Sequence, residues 1–140
     1  MTYALDANTI SYLLRRDRNP EVAVRFAEAI NLGHKYVIPP LSYYEVLWYL
    51  LRKSATTQVV YFSELYDKAL VKIKMDEADI IAAAKLRAEM DRQGNPIGDS
   101  DILIAAYCLI NGYVLVTNNI KHFEHIKDLR CVNWKAQTDA

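Results

Sequence analysis

The sequence predicts an α/β fold, a three-layer α/β/α arrangement around a central, mainly parallel sheet, and three observations carry that prediction. Short apolar runs bounded by turn residues alternate with longer amphipathic stretches, the order expected of strands joined by helical crossovers. Residues 113–116 are apolar on both alternating faces, as a strand covered from both sides must be. The chain of 140 residues is 52% hydrophobic and 24% charged and carries no Gly/Ser linker, proline-rich tract or internal repeat, so residues 1–140 read as one domain with a sizeable core.

Taken in order, residues 2–5 form the first strand, and Asn8 is placed to cap a helix running through Ile10, Leu13 and Leu14 to the basic cluster Arg15, Arg16 and Arg18. Pro20 opens a second helix that ends near Gly33. Residues 36–38 are a second short strand closed by Pro39 and Pro40, and residues 41–53 a helix with a broad apolar face. Residues 57–70 read as a helix and residues 71–75 as an edge strand. Residues 76–93 follow as a long helix with Asp76 as cap, acids in its first turn and Gly94 as its stop. Residues 94–100 are turn-rich, residues 101–110 an almost wholly buried helix, residues 113–116 a strand, and a last strand lies near 130–133. Parallel strands joined by right-handed crossovers place functional groups outside the carboxyl ends of the strands.

Lys plus Arg number 17 and Asp plus Glu 17, which argues against a protein that binds nucleic acid by phosphate neutralisation alone. It leaves room for an acidic centre with a local basic rim. The N-terminus lacks a basic stretch followed by a long apolar one, and the longest apolar run, residues 102–110, is about half the ~20 residues a bilayer requires; a cytoplasmic protein without a membrane segment is expected. Cys108 and Cys131 read as buried thiols, with a disulfide left open. His34, His122 and His125 lack ligand spacing, which argues against zinc or a histidine-based nuclease. The absence of a Gly-rich phosphate loop, nucleophile elbow or dinucleotide fingerprint removes kinases, serine hydrolases and dehydrogenases.

Asp6 directly follows the first strand, Asn119 lies just beyond the strand at 113–116, Glu45 sits in the first turns of the helix after the second strand, and Asp101 opens a helix. All four map to one edge of the sheet. Three carboxylates and an amide are hard oxygen donors suited to Mg²⁺ or Mn²⁺ and to phosphoester chemistry. Each residue also has a structural explanation: Ser42 and Glu45 fit a capping box, Asp6 could satisfy turn amides, Asp101 could stabilise a helix start capped by Asp99 or Ser100, and Asn119 could be a turn residue. Independent structural roles do not predict convergence, and carboxylates held close together repel, so a divalent ion is expected among them. Arg15, Arg16, Arg18, Arg25, Arg52, Lys53, Lys121 and His122 are candidate phosphate contacts or ordinary solvated surface, with Arg15, Arg16 and Lys121 foremost for contact with a nucleic-acid backbone. Tyr43, Tyr44, Trp48 and Tyr49 flank Glu45 at a spacing that favours packing over base stacking.

Leu5-Asp6-Ala7-Asn8, Glu45-Val46, Pro96-Ile97-Gly98-Asp99-Ser100-Asp101, Ile104-Ala105-Ala106, Val116-Thr117-Asn118-Asn119, Phe123 and Asn133-Trp134 follow in a characteristic order and spacing. Together they resemble the PIN-domain ribonucleases, specifically the VapC toxins of bacterial toxin–antitoxin pairs, over nearly the whole chain. The resemblance implies a catalytic set of Asp6, Glu45, Asp101 and Asn119, with Asp6 and Asp101 as metal ligands and Asn8 and Thr117 in support. Many relatives have Asp at the position of Asn119, which bears on whether a second metal binds. Ala7 stands where Thr is frequent, and Asp99 where Pro is frequent, as a cap or an additional supporting acid. The same resemblance implies a Mg²⁺- or Mn²⁺-dependent endoribonuclease in which water activated at the metal attacks an RNA phosphate, leaving 5′-phosphate and 3′-hydroxyl ends. It also implies a homodimer and a cognate VapB-like antitoxin that blocks the site. The competing reading is a non-catalytic PIN-like module that binds RNA or protein, and a third changes the substrate to DNA or flap structures. Which RNA is cut is not written in the sequence, since recognition by shape leaves no short motif.

Overall fold

The computed structural model describes residues 1–15 and 19–135; Arg16 and Arg18, two of the basic candidates, lie outside the described residues. Four strands, β1 (Thr2–Leu5), β2 (Lys35–Val37), β3 (Val114–Val116) and β4 (Cys131–Val132), form one sheet in the order β2-β1-β3-β4, and each neighbouring pair is parallel. Among the described residues the helices are α1 (Ala7–Leu14), α2 (Pro20–Asn31), α3 (Pro40–Arg52), α4 (Thr56–Asp67), α5 (Glu77–Arg92), α6 (Asp99–Asn111) and α7 (Ile120–Phe123).

Strand residues alternate between the two faces of a sheet, and the register here turns that alternation into two separate cores. Val37, Ala4, Leu115 and Cys131 pair across the four strands in one row, and Leu5, Val116 and Val132 form the next. The first row packs against Ala83 and Met90 of α5, Ile104 and Ala105 of α6, and Phe123 of α7. The second packs against Ile10 of α1, Val22 of α2, Val46 and Leu50 of α3, and Phe62 of α4. Helices therefore cover both faces, which bears out the predicted three-layer class. Helix α6 buries Ile102, Ile104, Ala105, Ala106, Tyr107 and Cys108, residues distributed around its whole circumference, because it lies between the sheet and α5. Cys108 and Cys131 are both free; burial pushes both thiols up, Cys131 to about 11, so both stay protonated at neutral pH. No helix among the described residues is long and apolar enough to cross a membrane.

The local signals succeed and fail for identifiable reasons. Asp76 caps α5 as expected: its carboxylate accepts the Asp79 N–H at 3.3 Å, and Asp79 reciprocally accepts the Asp76 N–H at 2.9 Å. Asn8 does not cap α1, because Asp6 already occupies that position and Asn8 lies inside the helix. Helix α3 begins at Pro40, whose fixed φ and missing N–H suit the first helical position, so Ser42 lies within the helix and no capping box forms with Glu45. Helix α6 begins at Asp99 after Gly98, so neither Asp99 nor Ser100 is its cap. Helix α4 ends at Asp67, earlier than expected, and residues 71–75 form no strand. The Leu70 amide bonds the Tyr36 carbonyl of β2 at 2.9 Å, and the chain then leaves the sheet with exposed side chains. Helix α7 escaped notice because four residues hold too little of a 3.6-residue period to be read.

Replacing Asp76 with Ala strands a first-turn amide of α5. The expected result in urea unfolding is a loss of stability, seen as a lower midpoint with an unchanged slope.

Candidate active site

Strand β1 ends at Leu5, but the Asp6 N–H still donates to the Val116 carbonyl of β3 at 3.1 Å. This step of the ladder seats Asp6 at the carboxyl end of the two central strands, where the chain turns into α1. Its carboxylate accepts the Thr9 N–H at 2.8 Å, while the Thr9 hydroxyl donates to the Val116 carbonyl at 3.2 Å. Asp6 is only 9% exposed. Burial raises its carboxyl above the ordinary value of 3.8, hydrogen bonds from Thr117 and Thr9 pull the other way, and the charge of Glu45 adds to the rise.

Glu45 reaches the same region from the second turn of α3, where its carboxylate accepts from the Ser100 hydroxyl and thereby ties α3 to α6. Asp101 follows in the first turn of α6, with Nδ1 of His122 on α7 at 3.3 Å from its carboxylate. Glu45 is thus close enough for its charge to act on Asp6, and its bond to Ser100 joins it to the residue before Asp101. Thr117 is buried behind Asp6 and accepts the Asn119 N–H at 3.0 Å. Asn119 itself is exposed at the start of α7 with no side-chain cap bond, whereas the neighbouring Asn118 accepts from the Asn8 amide at 3.4 Å. Asp99 is turned to α5, where it pairs with Arg87 and stays largely exposed. Ser100, Thr9 and Asn118 escaped the reading of the sequence as site residues. Thr9 was findable as the residue three beyond a capping Asp, but the Ser100 link to Glu45 is tertiary and leaves no local trace.

Two open clefts flank the acids. One, of about 380 Å³, lies between α1 and α3 and is lined by Asn8, Tyr12, Arg15, Glu45, Trp48 and Tyr49. The other, of about 430 Å³, is lined by Asp101, Lys121, His122 and His125 together with the 94–98 loop. Arg15 therefore shares a cleft with Glu45 and Lys121 shares one with Asp101, while Arg25 pairs with Glu21 at 3.1 Å on α2. The expectation of packing holds for Tyr43, whose ring lies 5.1 Å from Phe62 and 4.8 Å from Tyr66. It does not hold within the chain for Tyr44 and Trp48, which are 63% and 51% exposed.

The donor set fits a hard divalent cation. A carboxylate that loses solvent and sits beside a second carboxylate gains from a positive charge, and these oxygens match Mg²⁺ or Mn²⁺ in type. Among the described residues no three His, Cys, Asp or Glu side chains form a group that could by itself cage a metal ion. Mg²⁺ does not require such a cage, because it keeps several waters and takes one or two carboxylates.

The PIN domain pattern matches residues 3–129. The chain belongs to the PIN domain family. Ribonuclease VapC2 of Haemophilus influenzae is 28% identical over 134 residues, spanning 96% of this chain and 98% of the relative. The tRNA(fMet)-specific endonuclease VapC of Salmonella typhimurium is 27% identical over 135 residues with the same coverage. The solved structure of VapBC-1 from nontypeable Haemophilus influenzae superposes on this PIN domain with a TM-score of 0.75 at 26% identity, covering 96% of this chain and 98% of the other. The resemblance to VapC-type PIN proteins is thereby borne out along nearly the whole chain.

The raised Asp6 carboxyl has a measurable consequence. A proton binds it more tightly in the folded state than in the unfolded one, so without metal its contribution to stability falls as pH rises from about 3.8 through the folded value, and the deficit is complete above that. Asp6→Asn keeps a capping side chain and removes the buried charge. Thermal melts at neutral pH in chelator should give the Asn variant a melting temperature a few degrees higher, at roughly 2–4 °C per kcal/mol. A lower one would show that the charge is stabilising as it stands.

Proposed function

We propose that this chain is an endoribonuclease toxin of the VapC kind, dependent on Mg²⁺ or Mn²⁺, acting in the cytoplasm as a homodimer and held in check by a cognate VapB-like antitoxin. The observation that carries the reading is the buried carboxyl of Asp6, raised by its burial and by Glu45, at the strand ends of a chain similar along its length to VapC ribonucleases. The whole chain is read as one catalytic domain, and the antitoxin is inferred from the VapBC assembly named for a structural relative.

In this reading Asp6 and Asp101 would hold the ion, and Thr9 and Thr117 hold Asp6. When bound, a divalent ion supplies charge that polarises water and neutralises the scissile phosphate. Glu45, oriented by the Ser100 hydroxyl, takes the proton that leaves the attacking water. Asn119 shapes the mouth of the site, Asn8 supports it through Asn118, and Arg15 and Lys121 bind RNA phosphates on either side. Water attack leaves a 5′-phosphate and a 3′-hydroxyl.

The binding-module reading has an observation of its own in its favour, since Asp6, Glu45 and Asp101 all have protein partners already. Turnover separates the two. Purified, antitoxin-free protein incubated with total RNA and a tRNA panel is expected to cleave with Mg²⁺ or Mn²⁺, and to stop in chelator. Asp6→Asn and Asp101→Asn should each lower the rate at least about a hundredfold. Folded, metal-supplied protein that binds RNA without cutting it would establish the module instead, and 2′,3′-cyclic phosphate ends would overturn water attack.

Ser100→Ala tests the link to Glu45. A fall of about tenfold in kcat with little change in KM is expected, with Ser100→Thr restoring most of the rate.

A further inference from the structure

A third open cleft, of about 380 Å³, lies away from the acids, between α2 and the chain that follows α4. Lys35, which lines it, opens β2 and pairs with Thr2 at the start of β1, so the cleft sits at the opposite end of the sheet from Asp6. Its walls are apolar and wet: Ile30 of α2 is 40% exposed and Leu70 is 49% exposed, while the Phe26 ring meets Tyr36 edge-on at 5.1 Å. The polar groups of Tyr36 are already engaged, its hydroxyl donating to the Leu65 carbonyl at 2.5 Å and its carbonyl accepting the Leu70 N–H at 2.9 Å. What remains polar is Lys35, Lys68 and His34, whose ring stands edge-on to Tyr3. Among the described residues neither lysine belongs to an ion pair, and Asp67, the acid next to Lys68, is taken by Lys72 at 3.5 Å.

We infer that this cleft binds a small amphiphilic carboxylate, its head group held by Lys35 and Lys68 and its apolar tail lying against Phe26, Ile30 and Leu70. The donor and acceptor inventory selects the class. A lysine ammonium donates and never accepts, and no Asp, Glu, Asn or Gln side chain is among the described residues that line the cleft. A nucleobase or a peptide backbone carries N–H donors that would find no side-chain acceptor there. A carboxylate carries acceptors alone and makes charge-assisted bonds to ammonium groups, while an apolar tail takes the exposed faces of Ile30 and Leu70 out of water. The volume falls within the roughly 300–1,000 Å³ of ordinary small-ligand sites, which likewise combine apolar walls with a few polar groups. The site draws on none of Asp6, Glu45 and Asp101, so its occupancy is independent of divalent ions and of the nuclease reading.

The test is isothermal titration of the full chain with decanoate below its micelle concentration, in chelator. One site with a Kd below about 1 mM is expected. Octanoate, with a shorter tail, should bind about tenfold more weakly. Decylammonium, which has the same tail and the opposite charge, should show no binding. Lys35→Met and Lys68→Met keep most of the aliphatic stem and remove the charge. Together they should weaken decanoate about tenfold and leave the melting temperature of the free protein unchanged, as exposed positions allow. Fluorescence reads the position: the Trp134 ring lies 6.2 Å from Phe26, and Trp48→Phe makes it the one tryptophan of the chain, so a carboxylate brominated on its tail should quench it. Decylammonium binding as tightly as decanoate, an affinity indifferent to both lysines, or no saturable binding would overturn the site. Shielding of Lys35 and Lys68 by a cognate antitoxin, with decanoate failing to bind the free chain, would give the cleft to a protein partner and overturn it too.

Discussion

The hydrogen bond from the Asp6 amide to the Val116 carbonyl is the contact on which the site depends. It extends the β1–β3 ladder one residue beyond the strand and makes the position of a carboxylate part of the sheet register. A slip of one residue would exchange the two rows of strand side chains, moving Ala4 and Leu115 out of one core and Leu5 and Val116 out of the other. Asp6 would then face away from Thr9 and Thr117. The apolar surface that specifies the fold thus also aims the acid, and no separate device is needed to orient it.

The acids at this edge differ from the other carboxylates in their partners. Exposed acids such as Glu21 and Asp99 pair with Arg25 and Arg87. Asp6 is met by the Thr9 backbone amide and the Thr117 hydroxyl, Glu45 by a hydroxyl, and Asp101 by an imidazole. The amide and hydroxyl donors to Asp6 and Glu45 satisfy hydrogen-bonding capacity without cancelling charge, so a negative potential survives there where an arginine would have removed it. That surplus works against the folded state and is tolerated because the two cores on either side of the sheet supply the stability.

How much of this was legible in the sequence follows from the range of each interaction. Strand alternation, the Asp76 cap and the proline starts are written within a few residues, and they led to the layers and to the common edge of Asp6, Glu45 and Asp101. Helix starts were misjudged where two local signals competed: Ser42 resembled a cap, but Pro40 began the helix earlier. Likewise Asn8 lost the α1 cap to Asp6. What stayed hidden was tertiary. The Ser100 hydroxyl meets Glu45 across 55 residues, Asp99 is diverted to Arg87 on a neighbouring helix, and the exposure of Trp48 depends on what the rest of the chain leaves uncovered.

The sheet's margins bear on how other chains attach. Strand β4 has two residues and β2 three, with the Leu70 amide already bonded to the outer strand's Tyr36 carbonyl. Long bare edges act as templates on which a foreign strand can grow, and edges this short offer little to such growth. Large apolar side chains on the helices are left in solvent instead, among them Tyr44 and Leu51 of α3, Val60 of α4 and Ile80 and Ile81 of α5. Association with this protein is accordingly a matter of side chains fitting a helical surface, which can be undone one contact at a time, and not of zipping backbone to backbone.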